Sequence, residues 1–204
     1  MVQATNARRR RLKLVLGGIA FAGWLGATAC ALGAIAVQAS IPNEAADAPS
    51  RWPSSSAIPR TPGRPTLVLF AHAQCPCTRA TLHELARLLV HIGDRADVWV
   101  LFSGPIGGRT DIRDDARALP GVHVVEDDGR AETRRFHVRT SGEVLLYSSS
   151  GELSFAGGIT PSRGHEGDSA GSARIEQLLS APQDVAKAPA TAGVFGCALF
   201  ERIP

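Results

Sequence analysis

Leu14–Val37 is a run of 24 residues without a charge, LVLGGIAFAGWLGATACALGAIAV, and it constrains the chain more than any other feature. At about 1.5 Å per residue, a helix of this length crosses the roughly 30 Å hydrocarbon core of a bilayer with some tilt. Its glycines would weaken a helix in water but are common in membrane helices. Arg8, Arg9, Arg10, Arg11 and Lys13 abut its N-terminal end, and no acidic residue precedes Glu44. The positive-inside rule therefore predicts a cytoplasmic basic segment at 1–13 and a single-pass anchor at 14–37. Everything after the anchor is expected on the periplasmic or extracellular side.

A cleaved signal peptide is the competing expectation, because Val37-Gln38-Ala39 offers small residues for processing. The run is nevertheless long beside the apolar region of about 7–15 residues in such signals. Cys30 follows Ala27-Thr28-Ala29, a poor lipoprotein box, and reads as a small apolar residue of the anchor.

The five basic charges before the anchor exceed the net charge of +3, which leaves −2 on the rest of the 204 residues. The remaining Lys and Arg are scattered and form no basic stripe, so nucleic acid is excluded as a partner. Residues 38–63 are rich in Pro, Ser and Ala and predict an extended linker, with Trp52 as a linker aromatic.

From residue 64 the pattern alternates. Thr66–Ala71 (TLVLFA) is a continuous apolar run, as in a buried parallel strand. HAQCPCT follows, then a helix over Arg79–Ile92 with Leu82, Leu85, Leu88 and Leu89 on one face. Strands are predicted at Asp97–Phe102 and Val122–Val125, with a helix at Asp111–Leu119 between them. After the turn at Asp127-Asp128-Gly129 come a helix from Arg130 to about Phe136 and a hairpin of Val144–Tyr147 and Leu153–Ala156. A last helix, Asp168–Ser180, has Asp168 or Ser169 as N-cap. The order β-α-β-α-β-α-β-β-α predicts an α/β domain over 64–180, a mixed central sheet with helices on both faces. Residues 181–204 form a tail carrying Cys197.

TLVLFAHAQCPCTRATLHELARLL and EDDGRAETRRFHVRTSGEVLLYSSSGELSFAGGIT resemble the thioredoxin-like superfamily. The likeness is strongest to its exported branch of membrane-tethered TlpA-type and peroxiredoxin-like domains, and less firmly to bacterial RedB-type sequences. The resemblance implies a thioredoxin-like fold and a membrane-anchored thiol–disulfide oxidoreductase acting on protein thiols or disulfides, with no bound cofactor.

A thiolate is the reactive form of cysteine, and a helix N-terminus stabilises it. Cys75 and Cys77 stand where a strand hands over to a helix, and Pro76 suits a first helical turn. Against the family, Cys75 falls at the nucleophile's place counted forward from Phe70. Cys77 falls at the resolving cysteine's place counted back from the helix. The motif is thus C-x-C, one residue short of C-x-x-C. Ser141 and Gly142 occupy the family's substrate-docking loop without its proline, and Leu69 replaces a buried carboxylate.

Cys197 lies within reach of the motif and is expected to serve as resolving cysteine, as static staple or as free thiol. His165, in a long Gly-rich loop, and His72 are candidates to assist a thiolate or ligate a metal. Two alternatives to exchange remain: a copper-binding or delivery module using these thiolates, and a non-catalytic interaction protein. Peroxidase action is disfavoured, because no Thr stands three residues before Cys75.

Overall fold

The computed structural model describes residues 2–43, 45–104, 110–180 and 188–200. Of the expected segments, residue 1 of the basic segment, residue 44 of the linker, residues 105–109 of the 64–180 domain and residues 181–187 and 201–204 of the tail lie outside them. The chain divides into two units, Met1–Ser40 and Ile41–Pro204. The first is a single helix, α1 (Val2–Ser40). Its stretch Lys13–Ser40 has a mean hydropathy of 1.8 and is long and apolar enough to cross a membrane.

The second unit is built on a six-stranded sheet in the order β3-β2-β1-β4-β5-β6. Its strands are β1 (Thr66–Ala71), β2 (Asp97–Ser103), β3 (Val122–Asp127), β4 (Glu143–Tyr147), β5 (Leu153–Gly158) and β6 (Ala190–Thr191). β1, β2 and β3 are parallel, and β4 runs antiparallel to both β1 and β5. Every residue of β1 is buried, which is why its sequence is a continuous apolar run and not an alternation.

The helices are α2 (Thr78–Ile92), α3 (Thr110–Arg117), α4 (Ala131–Arg135) and α5 (Ala170–Ser180). Leu82, Leu85, Leu88 and Ile92 of α2 are buried in one cluster with Leu67 and Leu69 of β1, Ile112 of α3 and Ile175 of α5. Each such side chain contributes about 1.5–3 kcal/mol by leaving water. Ser169 caps α5, its Oγ accepting from the Ser172 N–H at 3.1 Å.

Helices stand on both faces as the pattern predicts, but unequally. Among the described residues, the second face, with Val68, Phe70, Leu145 and Tyr147, carries the five-residue α4, the Phe136 and Val138 that follow it, and Leu199 and Phe200 near the end of the chain. The expected linker supplies the rest of the cover. Trp52 packs edge-on against Phe136 and Tyr147 with ring centroids 5.0 and 5.1 Å apart, and Ile58 is buried. Backbone bonds tie Trp52 to Gly151 and Leu153 to Ser50, both at 2.8 Å. An extended segment rich in proline has little intrinsic order, so these tertiary contacts are what fix it.

Two buried carboxylates anchor the same segment. Glu132 accepts from the Ser56 hydroxyl at 2.7 Å and the Ala57 N–H at 3.0 Å. Glu143 accepts from the Ala46 N–H, and its second oxygen has no partner among the described residues. Burial pushes the Glu143 carboxyl up to about 7, against the smaller opposing pull of the Ala46 bond.

Because the unfolded carboxyl titrates near its ordinary value, this group's stabilisation is fully present in acid and lost as pH rises toward 7. Wild-type stability, read from urea unfolding, should therefore fall by an amount on the order of 3 kcal/mol from this group between about pH 5 and pH 8. Glu143→Gln should remove that component. An identical pH dependence in the two proteins would show that Glu143 ionises freely.

Candidate functional site

The site lies at the carboxyl ends of the parallel strands, where β1 passes into α2. The chain turns sharply after Ala71: the His72 carbonyl accepts from the Cys75 N–H at 3.0 Å and from the Thr78 hydroxyl at 2.8 Å. Cys75 is therefore folded back over the end of the sheet and is only 2% exposed. Cys77 is the N-cap of α2, with helical dihedrals (φ −75°, ψ −17°) and no side-chain capping bond. It is half-buried.

The loop before β4 faces this turn. Buried Ser141 accepts from the His72 N–H at 3.0 Å through its Oγ, and the Gly142 N–H donates to the Phe70 carbonyl at 2.7 Å. Gly142 has φ +90°, a conformation that costs glycine little. Its missing side chain would meet the Thr81 hydroxyl at 3.3 Å.

The tail completes the site. β6 pairs with β5, Asn43 and Val194 exchange backbone bonds, and the chain then runs antiparallel to residues 139–141. The Ser141 N–H donates to the Cys197 carbonyl and the Leu199 N–H to the Arg139 carbonyl, each at 2.8 Å. Val194 and Leu199 are buried, and the Arg130 and Arg134 guanidinium groups lie 5.6 and 5.5 Å from the ring centre of Phe200. This seating brings the Cys197 Sγ to 2.9 Å from the Cys75 Sγ.

The three thiols are electrostatically unequal. Burial pushes the Cys75 thiol up, but it is outweighed by hydrogen bonds from Cys197, from the backbone N–H groups of Cys77 and Cys197, and from Ser141. The net effect holds Cys75 below its ordinary value. Cys77 is raised, first by burial and then by the Cys75 charge. Cys197 is pushed up to about 12, first by burial and then by its bond to Cys75 and that group's charge. Of the three, Cys75 is thus the thiol most readily ionised, and Cys77 and Cys197 hold their protons more tightly than an ordinary thiol.

Arg163 is the residue that sequence reading missed. Its Nη1 donates to the Gly196 carbonyl at 2.5 Å, and its charge opposes the upward shift of both Cys77 and Cys197. A lone arginine in a Gly-rich loop carries no pattern that marks it. The neighbouring His165 is exposed, with Nδ1 bonded to the Arg163 carbonyl at 2.8 Å. The ring of His72 accepts from the Gln74 N–H at 3.3 Å. Burial, then Arg130 and Arg113, hold His72 below its ordinary value. Among the described residues, neither imidazole has a hydrogen bond to a thiol. Among the described residues, no three His, Cys, Asp or Glu side chains are arranged to hold a metal ion.

No protein-family model matches the chain, and no curated protein is similar to it. Solved structures are. An uncharacterized conserved protein from Geobacillus kaustophilus superposes with a TM-score of 0.59 at 14% identity, over 80% of this chain and 98% of its own. A hypothetical protein from Sinorhizobium meliloti superposes at 0.57, also with 14% identity, over 77% and 97%. An exposed lipoprotein thioredoxin from Streptococcus pneumoniae reaches 0.42 at 18% identity, over 58% and 84%. These identities bear on fold alone; the strand order and directions of the unit Ile41–Pro204, with β1 between parallel β2 and antiparallel β4 and with β5 beyond, are thioredoxin-like.

The ordering of the thiols is open to measurement. The pH midpoint of Cys75 alkylation should lie below those of Cys77 and Cys197, whatever the absolute rates. Cys197→Ala removes the strongest of the bonds that favour the Cys75 thiolate, so the pH profile of Cys75 should move to higher pH. An unmoved profile would show that Cys197 does not stabilise the thiolate.

Proposed function

We propose that this thioredoxin-like domain is a thiol–disulfide oxidoreductase held at the outer side of a cell membrane by α1, with Cys75 as its attacking thiolate. The observation that carries this reading is the 2.9 Å approach of Cys197 to a Cys75 whose thiolate is favoured. The basic residues Arg8–Arg11 and Lys13 support a cytoplasmic N-terminus and an exported domain, in a compartment where disulfides persist.

The chemistry needs no cofactor. The Cys75 thiolate attacks one sulfur of a client disulfide, forming a Cys75–client bond while the client's other sulfur leaves with the electron pair as a thiolate. Cys197 then loses its proton and attacks the Cys75 sulfur. The Cys75–Cys197 bond forms, and the client's second thiolate departs. Two electrons pass to the client, and the reverse sequence oxidises a client dithiol.

The same electrostatics set the order of events. While Cys75 is a thiolate, its charge helps hold the proton on Cys197. Once Cys75 is tied to a client, that charge is gone and the opposing pull of Arg163 remains, so Cys197 is activated only when needed. This favours Cys197 over Cys77 as the resolving group, and Cys77 becomes a bystander or reserve thiol. The buried anchors Val194 and Leu199 favour a second reading, a permanent staple without exchange.

Reaction of the reduced full chain with oxidised glutathione, quenched in acid and resolved by mass spectrometry, separates these readings. Cys75→Ser should lose exchange by about a hundredfold. Cys197→Ser should accumulate a Cys75–glutathione adduct, and Cys77→Ser should resolve like wild type. Adduct accumulating in Cys77→Ser instead would reverse the roles, and no adduct in any variant would leave the staple.

A further inference from the structure

The tail reaches Cys75 in the manner of a peptide laid on a sheet end. Residues 197 and 199 use the two backbone groups that the loop before β4 offers, the Ser141 N–H and the Arg139 carbonyl. A client sulfur that approaches Cys75 on an extended chain needs the same two groups. Space is equally restrictive at the preceding residue. A methyl group on Gly196 would lie 1.7 Å from the Ser141 carbonyl oxygen and 2.7 Å from its carbon, so only glycine passes there. The Gly196 carbonyl is clasped by the Asn43 side-chain amide at 3.2 Å and by Arg163. Val194 and Leu199, three residues before and two after Cys197, drop into buried positions.

Resting on the exchange reading above, we propose that residues 194–199 are an internal stand-in for the client. The docking edge at 139–141 then takes an extended cysteine-bearing segment with glycine directly before the cysteine and aliphatic anchors at the flanking positions. Tail and client occupy it in turn. The tail therefore keeps weakly matched peptide segments off the docking edge until a segment of the right shape displaces it.

The test uses the full chain in detergent micelles with Cys75 as its only cysteine, the others replaced by serine. The probe is the peptide acetyl-VFGCAL-amide, its cysteine carried as a thiopyridyl disulfide. Attack by the Cys75 thiolate forms the Cys75–peptide disulfide and releases thiopyridone, whose absorbance gives the rate. Adding Gly196→Ala should expel the tail and raise the peptide rate about tenfold, the worth of the two backbone hydrogen bonds it breaks.

Leu199→Asp, which ejects an anchor without touching the loop, should do the same. In both, the peptide with Gly before Cys should react about tenfold faster than acetyl-VFACAL-amide. Equal rates for the two peptides, or rates unmoved by both substitutions, would overturn the proposal. Dithiodipyridine, which needs no docking, is the control on the two tail-displaced variants: if it leaves Cys75 unreacted there, the exchange reading itself has failed.

Discussion

The approach of the Cys197 sulfur to the Cys75 sulfur is the contact on which the site depends, and it is a product of backbone pairing. Residues 75 and 197 lie 122 apart in sequence and meet because the tail is held on three sides. β6 extends the sheet, Asn43 grips Val194, and the loop at 139–141 receives residues 197–199. Each hydrogen bond contributes only about 0.5–1.5 kcal/mol net, but together with two buried apolar anchors they fix a sulfur to within bonding reach. The same contacts enclose Cys75, so the features that make its thiolate favourable also decide what reaches it.

That enclosure creates a division of labour among chemically identical groups. Cys75 accepts hydrogen bonds from its surroundings and is held low, while Cys197 donates to it and is held high. Thiol–disulfide exchange in general is served by such asymmetry, because two thiolates at this separation would repel and two equally protonated thiols would react slowly. In the proposed exchange, the Arg163 charge, which opposes the upward shift of Cys197, would remain once the Cys75 charge has been consumed.

Much of this architecture is written locally. The buried run Thr66–Ala71, the leucine face of α2 and the hairpin turn at Ser149-Ser150-Gly151 each declare themselves through short-range pattern, and so the β-α alternation is readable in order. The cysteines are readable too, because a strand-to-helix junction is a recognisable place for a thiolate. The role of 45–58 is not, since isolated Trp52 and Ile58 among prolines have no period and their partners lie some 80 residues on. For the same reason Arg163 left no mark, and the nearby His165 drew attention by residue type while pointing into solvent. Whether Cys77 or Cys197 answers Cys75 depends on a pairing distant in sequence that spacing alone leaves open.

The central claim is that Cys75 and Cys197 form the working redox pair. Its most direct measurement is equilibration of the full chain across glutathione redox buffers, followed by alkylation, disulfide mapping by mass spectrometry and metal analysis of the same samples. The account predicts one reversible transition in which a Cys75–Cys197 bond forms while Cys77 remains alkylatable. A Cys75–Cys77 bond, or thiols that stay reduced throughout and hold copper stoichiometrically, would contradict it.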